Sequence, residues 1–462
     1  MARMDCPGCR ALRRRVAELE ALVRDLQARL SQHAGNSSLP PSANPPDAPQ
    51  PVAKEPSGRP PGAQPGHAPC RRVRLPAQRV QQVVHYRPAA CRGCGHALPA
   101  EPGPHDPEPT WHQVAELPEI TAVVTEHQGH TRTCPRCGAR THAAIPAGVR
   151  AHALGPRLAA VMAYLSGARQ DSRRGVEEVV ETLFGVPVAL GTVAAVEQEA
   201  SAALAPAHAE VGAHVRAAPV KNVDETGWKR SGRLCWLWAA VTAGAAYFVI
   251  HARRGAAGLT ALLGEAVTGL LITDRWGTYN RLGAYRRQLC WAHLKREFQG
   301  LVDRGGPGQA LGEELLAFTE DVFHWWYRVR DGTLGRASLR TYIEEQRPWL
   351  RDLLARGRVC GCAKAAALCA GLLEWEPALW AFVRAEGVEP TNNAAERALR
   401  PAVLWRKRSQ GSRSEAGCRF AERMLTAVQT LRVQRRNVLA YLQEAITAHR
   451  AKLPAPQLLP TG

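Results

Sequence analysis

No part of this sequence makes a convincing membrane span. Its longest uncharged stretch, Leu234 to Ile250 (LCWLWAAVTAGAAYFVI), is at the short end of the spanning range. Trp, Val and Tyr dominate it and Thr-Ala-Gly-Ala breaks it, so it reads as two buried strands joined by a turn. The opening MARMDCPGCRALRRR lacks the apolar run of a secretory signal, which favours a cytoplasmic, nucleoid-associated protein. Acidic residues are scarce. The 41 Asp and Glu face 60 Lys and Arg, and the resulting net charge of +19 favours a polyanionic partner, nucleic acid first of all. Composition alone leaves the alternative of a coding bias that scatters arginine over the surface. A disulfide scaffold is also excluded: 462 residues have room for about three domains, each with its own core. Six of the 13 cysteines fall in Cys-x-x-Cys pairs, the pattern of metal ligation in a reducing compartment.

Apolar residues at Leu12, Val16, Leu19, Val23, Leu26 and Leu30 alternate steps of four and three, predicting a short coiled coil through which the chain self-associates. Pro, Ser, Gly and Asn crowd the stretch that follows, which reads as a linker. From about Cys70 to Ile145 the chain holds short β-like runs, Arg79–Tyr86 and Gln113–His127, together with two Cys-x-x-Cys knuckles. Cys91, Cys94, Cys134 and Cys137 predict one closed, structural zinc site, the 39 intervening residues being taken up by a β-hairpin between the knuckles. His130 and Cys70 are nearby substitutes. Cys6 and Cys9 form a third pair, which across a parallel dimer would make an intersubunit zinc clasp.

Helical periodicity covers Pro156 to Leu165, Gly175 to Leu183 and Thr192 to Leu204. These three helices fit either a helix-turn-helix DNA reader or a packed spacer, because Glu197 and Glu199 would face phosphates poorly. Strands follow at Lys221–Asp224, Leu234–Val241, Tyr247–His251 and Gly269–Asp274, with a helix near Gly258–Ala266 and a short strand at Gln288–Cys290. From Trp291 to Arg384 the pattern is helical and aromatic-rich; from Ala394 it is helical and basic.

Asp224 follows the run Pro219 to Val223 and so lies on or at the end of a strand, and Asp274 follows Gly269 to Thr273 in the same way. A carboxylate beside a buried strand is expensive unless it binds a cation or a donor, although each Asp could simply start a turn. Helix capping by Asn392 or Asn393 would present Glu396 in an early turn. Three acids from two strands and one helix suit Mg²⁺ or Mn²⁺, and a pair of such ions serves phosphodiester displacement. Glu225 is the rival of Asp224, since adjacent strand residues face opposite ways. Cys290 and His293 form half of a zinc pattern with no matching second pair, so His293 reads as supporting the acids or touching DNA, with a buried structural histidine as the alternative. Between residues 397 and 440, eleven Lys and Arg stand against two Glu. Arg397, Arg400, Arg406, Lys407, Arg408 and Arg413 are the candidate phosphate contacts. Trp405 either meets distorted DNA ends or, more simply, packs in a core.

Four blocks now stand out: VDETGWK around Asp224, TDRWGTYN around Asp274, CWAHLKREF from Cys290, and NNAAERALRP from Asn392. With NSSLPPSANPP, GAQPGH and the knuckles ahead of them, they resemble the DDE transposases of the insertion sequence 66 family over nearly the whole chain. The resemblance implies a multidomain α/β protein with an RNase H-like catalytic core, interrupted by a large all-helical insertion. Its divisions would be a coiled-coil helix (1–33), a linker (34–69), a zinc domain (70–148), a helical domain (149–217), the core (218–299 and 386–440), the insertion (300–385) and a C-terminal helix and tail (441–462). The same resemblance assigns catalysis to Asp224, Asp274 and Glu396, with His293 and Asn393 behind them. It also implies hydrolysis at an element's 3′ ends, transfer of the 3′-hydroxyls into target DNA, terminal inverted repeats as the bound sequence, and small accessory proteins from the same element. A site-specific nuclease of the same fold, and a zinc-containing DNA-binding regulator with a decayed core, are the alternatives.

Overall fold

A computed structural model describes residues 14–20, 22–23 and 73–459. Residues 14–20 and 22–23 are helical, with Val16, Leu19 and Val23 about half exposed. The rest of the heptad seam, the Cys6/Cys9 pair and the linker lie outside the described residues. The chain divides into two compact units, one of Gln50–Thr121 and one of the remainder.

The small unit carries the first knuckle. The amide of Cys91 donates to His96 O and that of Gly95 to Cys91 O, with Gly95 at φ +75° where a side chain would be strained. In the large unit, β1 (Thr131–Thr133) and β2 (Arg140–His142) form an antiparallel hairpin around the second knuckle. There Cys134 N donates to Ala139 O and Gly138 N to Cys134 O, with Gly138 at φ +72°, so the two knuckles repeat one turn. The expected hairpin therefore encloses the second knuckle and does not span the gap between the two. Neither Arg79–Tyr86 nor Gln113–His127 forms a strand. Their valines, Val83, Val84, Val114, Val123 and Val124, are exposed, so high β-propensity finds no partner to pack on.

Four helices lead into the sheet: α1 (Pro156–Ala163), α2 (Arg173–Phe184), α3 (Leu190–Ala203) and α4 (Ala205–Ala217). Glu197 on α3 pairs with Arg173 at 2.6 Å and Glu199 with Arg450 at 2.8 Å, so both acids neutralise arginines of neighbouring helices. The sheet itself contains β3 (Val220–Arg230), β4 (Arg233–Val241), β5 (Ala246–His251), β6 (Leu270–Thr273) and β7 (Arg287–Leu289), in the order β5-β4-β3-β6-β7. Leu234 to Ile250 is thus two strands and a turn. β3, β4 and β5 run as an antiparallel meander, after which α5 (Ala256–Leu263) crosses over and β6 and β7 add in parallel.

Four further helices, α6 (Trp291–Arg304), α7 (Gln309–Arg330), α8 (Arg336–Arg358) and α9 (Ala363–Glu374), then pack around their own apolar core. The chain returns to the sheet through α10 (Asn393–Ser409) and α11 (Glu415–Val433), and closes with α12 (Val438–Arg450). One sheet face, with Val223, Trp238 and Leu271, shares a core with α1 to α5, α11 and α12. The other, with Trp228, Leu237 and Phe248, is covered by α10 and α11. Helix α11 also closes the edge of β5. Its Glu422, Thr426 and Thr430, four residues apart and so on one stripe, accept hydrogen bonds from the amides of Ile250 (2.5 Å), Phe248 (3.2 Å) and Ala246 (3.1 Å). Among the described residues no helix is long and apolar enough to cross a membrane.

Candidate active site

The alternation of β3 separates its two adjacent acids. Glu225 shares its face with Val223 and is 9% exposed, with both oxygens engaged. Tyr279 Oη donates to it at 2.7 Å and Arg254 Nε at 2.9 Å, while the Arg254 guanidinium lies 4.2 Å from the Trp276 ring. Asp224 belongs to the other face, with Thr226 and Trp228, beneath α10. The amide of Glu225 donates to its Oδ1 at 2.9 Å.

The parallel pairing of β3 with β6 sets the second acid. Val220, Lys221 and Asn222 lie opposite Leu270, Leu271 and Ile272, so two residues further on Asp224 and Asp274 stand level on neighbouring strands. Such strands are about 4.8 Å apart. One Asp274 oxygen accepts from Trp276 N at 3.0 Å, the turn-starting role expected of an Asp at this point. The Asp274 carbonyl is held at 3.0 Å by Arg287, a fully buried arginine that also donates to Thr273 Oγ1 and Asn280 Oδ1.

Glu396 comes from the first turn of α10, aligned by Asn392. Asn392 is the residue at the helix start, but its side chain does not cap the helix. Its Nδ2 donates to Val223 O at 2.8 Å, which ties the start of α10 to β3 beside Asp224. Asn393, the first residue of α10, is partly buried. The amide of Asn392 donates to Cys290 Sγ at 3.2 Å, and that of Trp291 to Pro390 O at 2.9 Å, so the starts of α6 and α10 are fastened together. His293 Nδ1 consequently lies 3.6 Å from Glu396 Oε1, and Arg296 Nη2 lies 3.7 Å from the same oxygen.

Electrostatics link these groups. Desolvation, then Glu225, Asp274 and Glu396 in turn, push the Asp224 carboxyl well above the usual carboxylate range. Burial and Arg296 pull the His293 imidazole below its ordinary value, against the opposing pull of Glu396 and Asp274. Burial pushes the Cys290 thiol up to about 11.

Acceptors outnumber donors here. Among the described residues, the buried atoms without a hydrogen-bond partner include Asn222 Oδ1, Asn392 Oδ1, Glu396 Oε1 and His293 Nδ1. Buried carboxylate and amide oxygens left without a hydrogen-bond donor are the donor set of a hard divalent cation, so these residues fit magnesium or manganese. The tightest metal-ligating group among the described residues is a different one, Cys290, His293 and Glu396, whose ligand atoms lie within 4.8 Å of one another. Asp224 and Asp274 are not members of it.

Of the basic residues expected at the nucleic acid, Arg397, Arg400, Lys407, Arg408 and Arg413 are exposed. Arg406 turns back to β3, donating to Thr226 Oγ1 at 3.3 Å and to the Gly227 carbonyl. Trp405 packs edge-on against Trp228 and Phe420. Each knuckle lowers its leading thiol: backbone amides of Cys94 and Gly93 act on Cys91, and those of Cys137 and Arg136 on Cys134. Such amides favour the thiolate, the form that binds zinc. Arg287, Tyr279 and Asn222 went unnoticed in the sequence; nothing local marks them, because their roles arise from pairing across the sheet.

Residues 152–420, more than half of the chain, match the Transposase IS66 family. The chain belongs to that family. The matched span runs from the helices before the sheet through α10 and into α11, and leaves out both knuckles. Two proteins of Sinorhizobium fredii (strain NBRC 101917 / NGR234), both uncharacterised, are similar to it. y4qI is 27% identical over 212 residues, 41% of this chain and 38% of y4qI. y4hP is 25% identical over 412 residues, 79% of this chain and 71% of y4hP. The chain thus spans well under half of the first and about seven tenths of the second. No solved structure matches.

Proposed function

We propose that this protein is the recombinase of an insertion sequence, with an RNase H-like core, which hydrolyses DNA at the element's 3′ ends and joins the freed 3′-hydroxyls to target DNA. The observation that carries this reading is the parallel register of β3 and β6, which, carried one residue past the end of β6, sets Asp274 beside Asp224 under the helix that bears Glu396. These three acids would hold divalent ions, which supply activation of the attacking oxygen and stabilisation of the leaving one. The chain's own groups do the rest. Glu225, bound by Tyr279 and Arg254, acts as a strut that holds β3 while Asp224 faces the reaction. Arg287 fixes the peptide that carries Asp274. His293 orients Glu396, with Asn393 beside it on α10. Exposed Arg397, Arg400, Lys407, Arg408 and Arg413 grip phosphates without reading sequence. The paired cysteines of each knuckle bind zinc for structure, and the N-terminal helix brings copies of the chain together.

The test is a strand-transfer assay with labelled element ends. Asp274→Asn should retain end binding and lose both cleavage and joining. Transfer at the wild-type rate in that variant would overturn the assignment, while cutting without joining by the wild type would make the protein a nuclease.

A further inference from the structure

Cys290 and His293 resemble half of a metal pattern with no second half in the sequence. The fold supplies the missing member 103 residues beyond His293 in Glu396. Three features make this more than a chance cluster. Sulfur, nitrogen and oxygen ligand atoms lie within 4.8 Å of one another. Two of them, His293 Nδ1 and Glu396 Oε1, are buried without a hydrogen-bond partner. Their separation of 3.6 Å is close to the edge of a tetrahedron, about 3.3 Å for ligands 2.0–2.1 Å from a central ion. Cys290 also precedes the first turn of α6 and receives the Asn392 amide at 3.2 Å, so amides at two helix N-termini point at the sulfur and oppose the burial that otherwise keeps it a thiol until a cation enters.

We infer that Cys290, His293 and Glu396 form a second, thiophilic cation site, for ions of the zinc and cobalt class, that shares Glu396 with the magnesium-binding acids and therefore competes with them. Soft thiolate and imidazole select such ions over magnesium, which prefers all-oxygen sets. Binding releases the Cys290 proton to solvent. Arg296, 3.7 Å from Glu396 and partly exposed, must swing away as the ion enters. The fourth position stays open to water or to DNA. The site itself rests on the three side chains; the competition rests on the recombinase reading above.

Cobalt provides the probe. Full-length protein, its knuckles already loaded with zinc, is titrated with Co²⁺ without DNA, and uptake is followed by the thiolate-to-cobalt absorption band. Wild-type protein should take up one further equivalent. Cys290→Ser, whose hydroxyl can still accept the Asn392 amide, should lose the band. His293→Asn should weaken binding by more than the roughly 10–100-fold typical of losing an outer-shell partner. No additional uptake by wild type, or the same band in both variants, overturns the site. Excess Mg²⁺ should weaken cobalt binding; uptake indifferent to magnesium overturns the sharing of Glu396 while leaving strand transfer to be judged by its own assay.

Discussion

Asp224→Asn separates electrostatic strain from fold. In the metal-free protein Asp224 and Asp274 occupy level positions one strand apart, about 4.8 Å between backbones. At a pH where both are ionised, two unit charges at about that spacing repel by roughly 3 kcal/mol at an effective dielectric of 20. Glu396 adds a further contribution of the same sign. Asparagine keeps the shape and the acceptor that Glu225 N uses, and removes the charge. The variant should therefore be more stable than wild type in chelator, by about 1–3 kcal/mol once water and counter-ions screen the pair. At about 2–4 °C per kcal/mol for a domain of 150–250 residues, this is a rise of several degrees in Tm.

Magnesium should raise the wild-type Tm and leave the variant nearly unchanged. The pH dependence has a definite sign. Asp224 titrates higher in the folded state than in the unfolded chain, so the folded state holds the proton more tightly. Its contribution is intact below the unfolded value near 3.8 and is lost as pH rises through the folded value. Metal-free wild type should lose stability over that window, and Asp224→Asn should lose less. Differential scanning calorimetry with and without Mg²⁺ reads all of this. A variant that melts below wild type in chelator, with no magnesium response in the wild type, would show that these acids do not crowd one another.

Tyr279→Phe leaves a Glu225 oxygen without its donor and should cost about 1–3 kcal/mol in urea unfolding. Glu225 also titrates above its ordinary value, for which burial is the main cause, so its contribution too is lost as pH rises; the loss in Tyr279→Phe should be larger at about pH 8 than at about pH 5. Removing Arg397 and Arg400 together should lower the salt slope of DNA binding by about 2, whereas Arg406→Ala should destabilise the protein first, because that side chain is spent on β3. Gln288→Leu orphans the buried amide of Phe382, which should exchange with solvent faster, at a stability cost of about 1–3 kcal/mol.

What the sequence made legible was local. Asp274 is legible because an acid follows an apolar strand, Asp224 because an acid follows an apolar run, although β3 continues past it to Arg230, and Glu396 because a helix start precedes it. Four sheet strands are legible to within a residue or two, since each combines buried faces with turn residues at its ends; β3 is the exception, running six residues beyond the expected end at Asp224 to Arg230. Helix α4 was missed because Ala205 follows α3 with only Leu204 between them, so no polar break marks the boundary. Arg79–Tyr86 and Gln113–His127 were misjudged for the opposite reason: β-branched residues promise a strand only where a second strand exists to receive them. Between Asp224 and Glu225 the resemblance alone chooses, because alternation says that they diverge but not which face the late helix covers.

Long separation in sequence between Asp274 and Glu396 is no obstacle to their meeting, because the intervening helices are closed on themselves. Helices α6 to α9 bury their apolar residues chiefly against one another, touching the sheet through Ile272 and Leu289. Both ends of that segment are then clamped at one place. Gln288 donates to Leu379 O and accepts from Phe382 N, Trp291 Nε1 donates to Leu379 O, and Asn392 N donates to Cys290 Sγ. A segment whose entry and exit are bolted together adds length without adding distance. The loop-closure entropy of so long a connection also grows only slowly with length, about 0.6 kcal/mol for each doubling, so a few buried hydrogen bonds suffice to offset it. Geometry at Glu396 therefore depends on the clamp between Cys290 and Asn392, and hardly at all on how many residues lie between them.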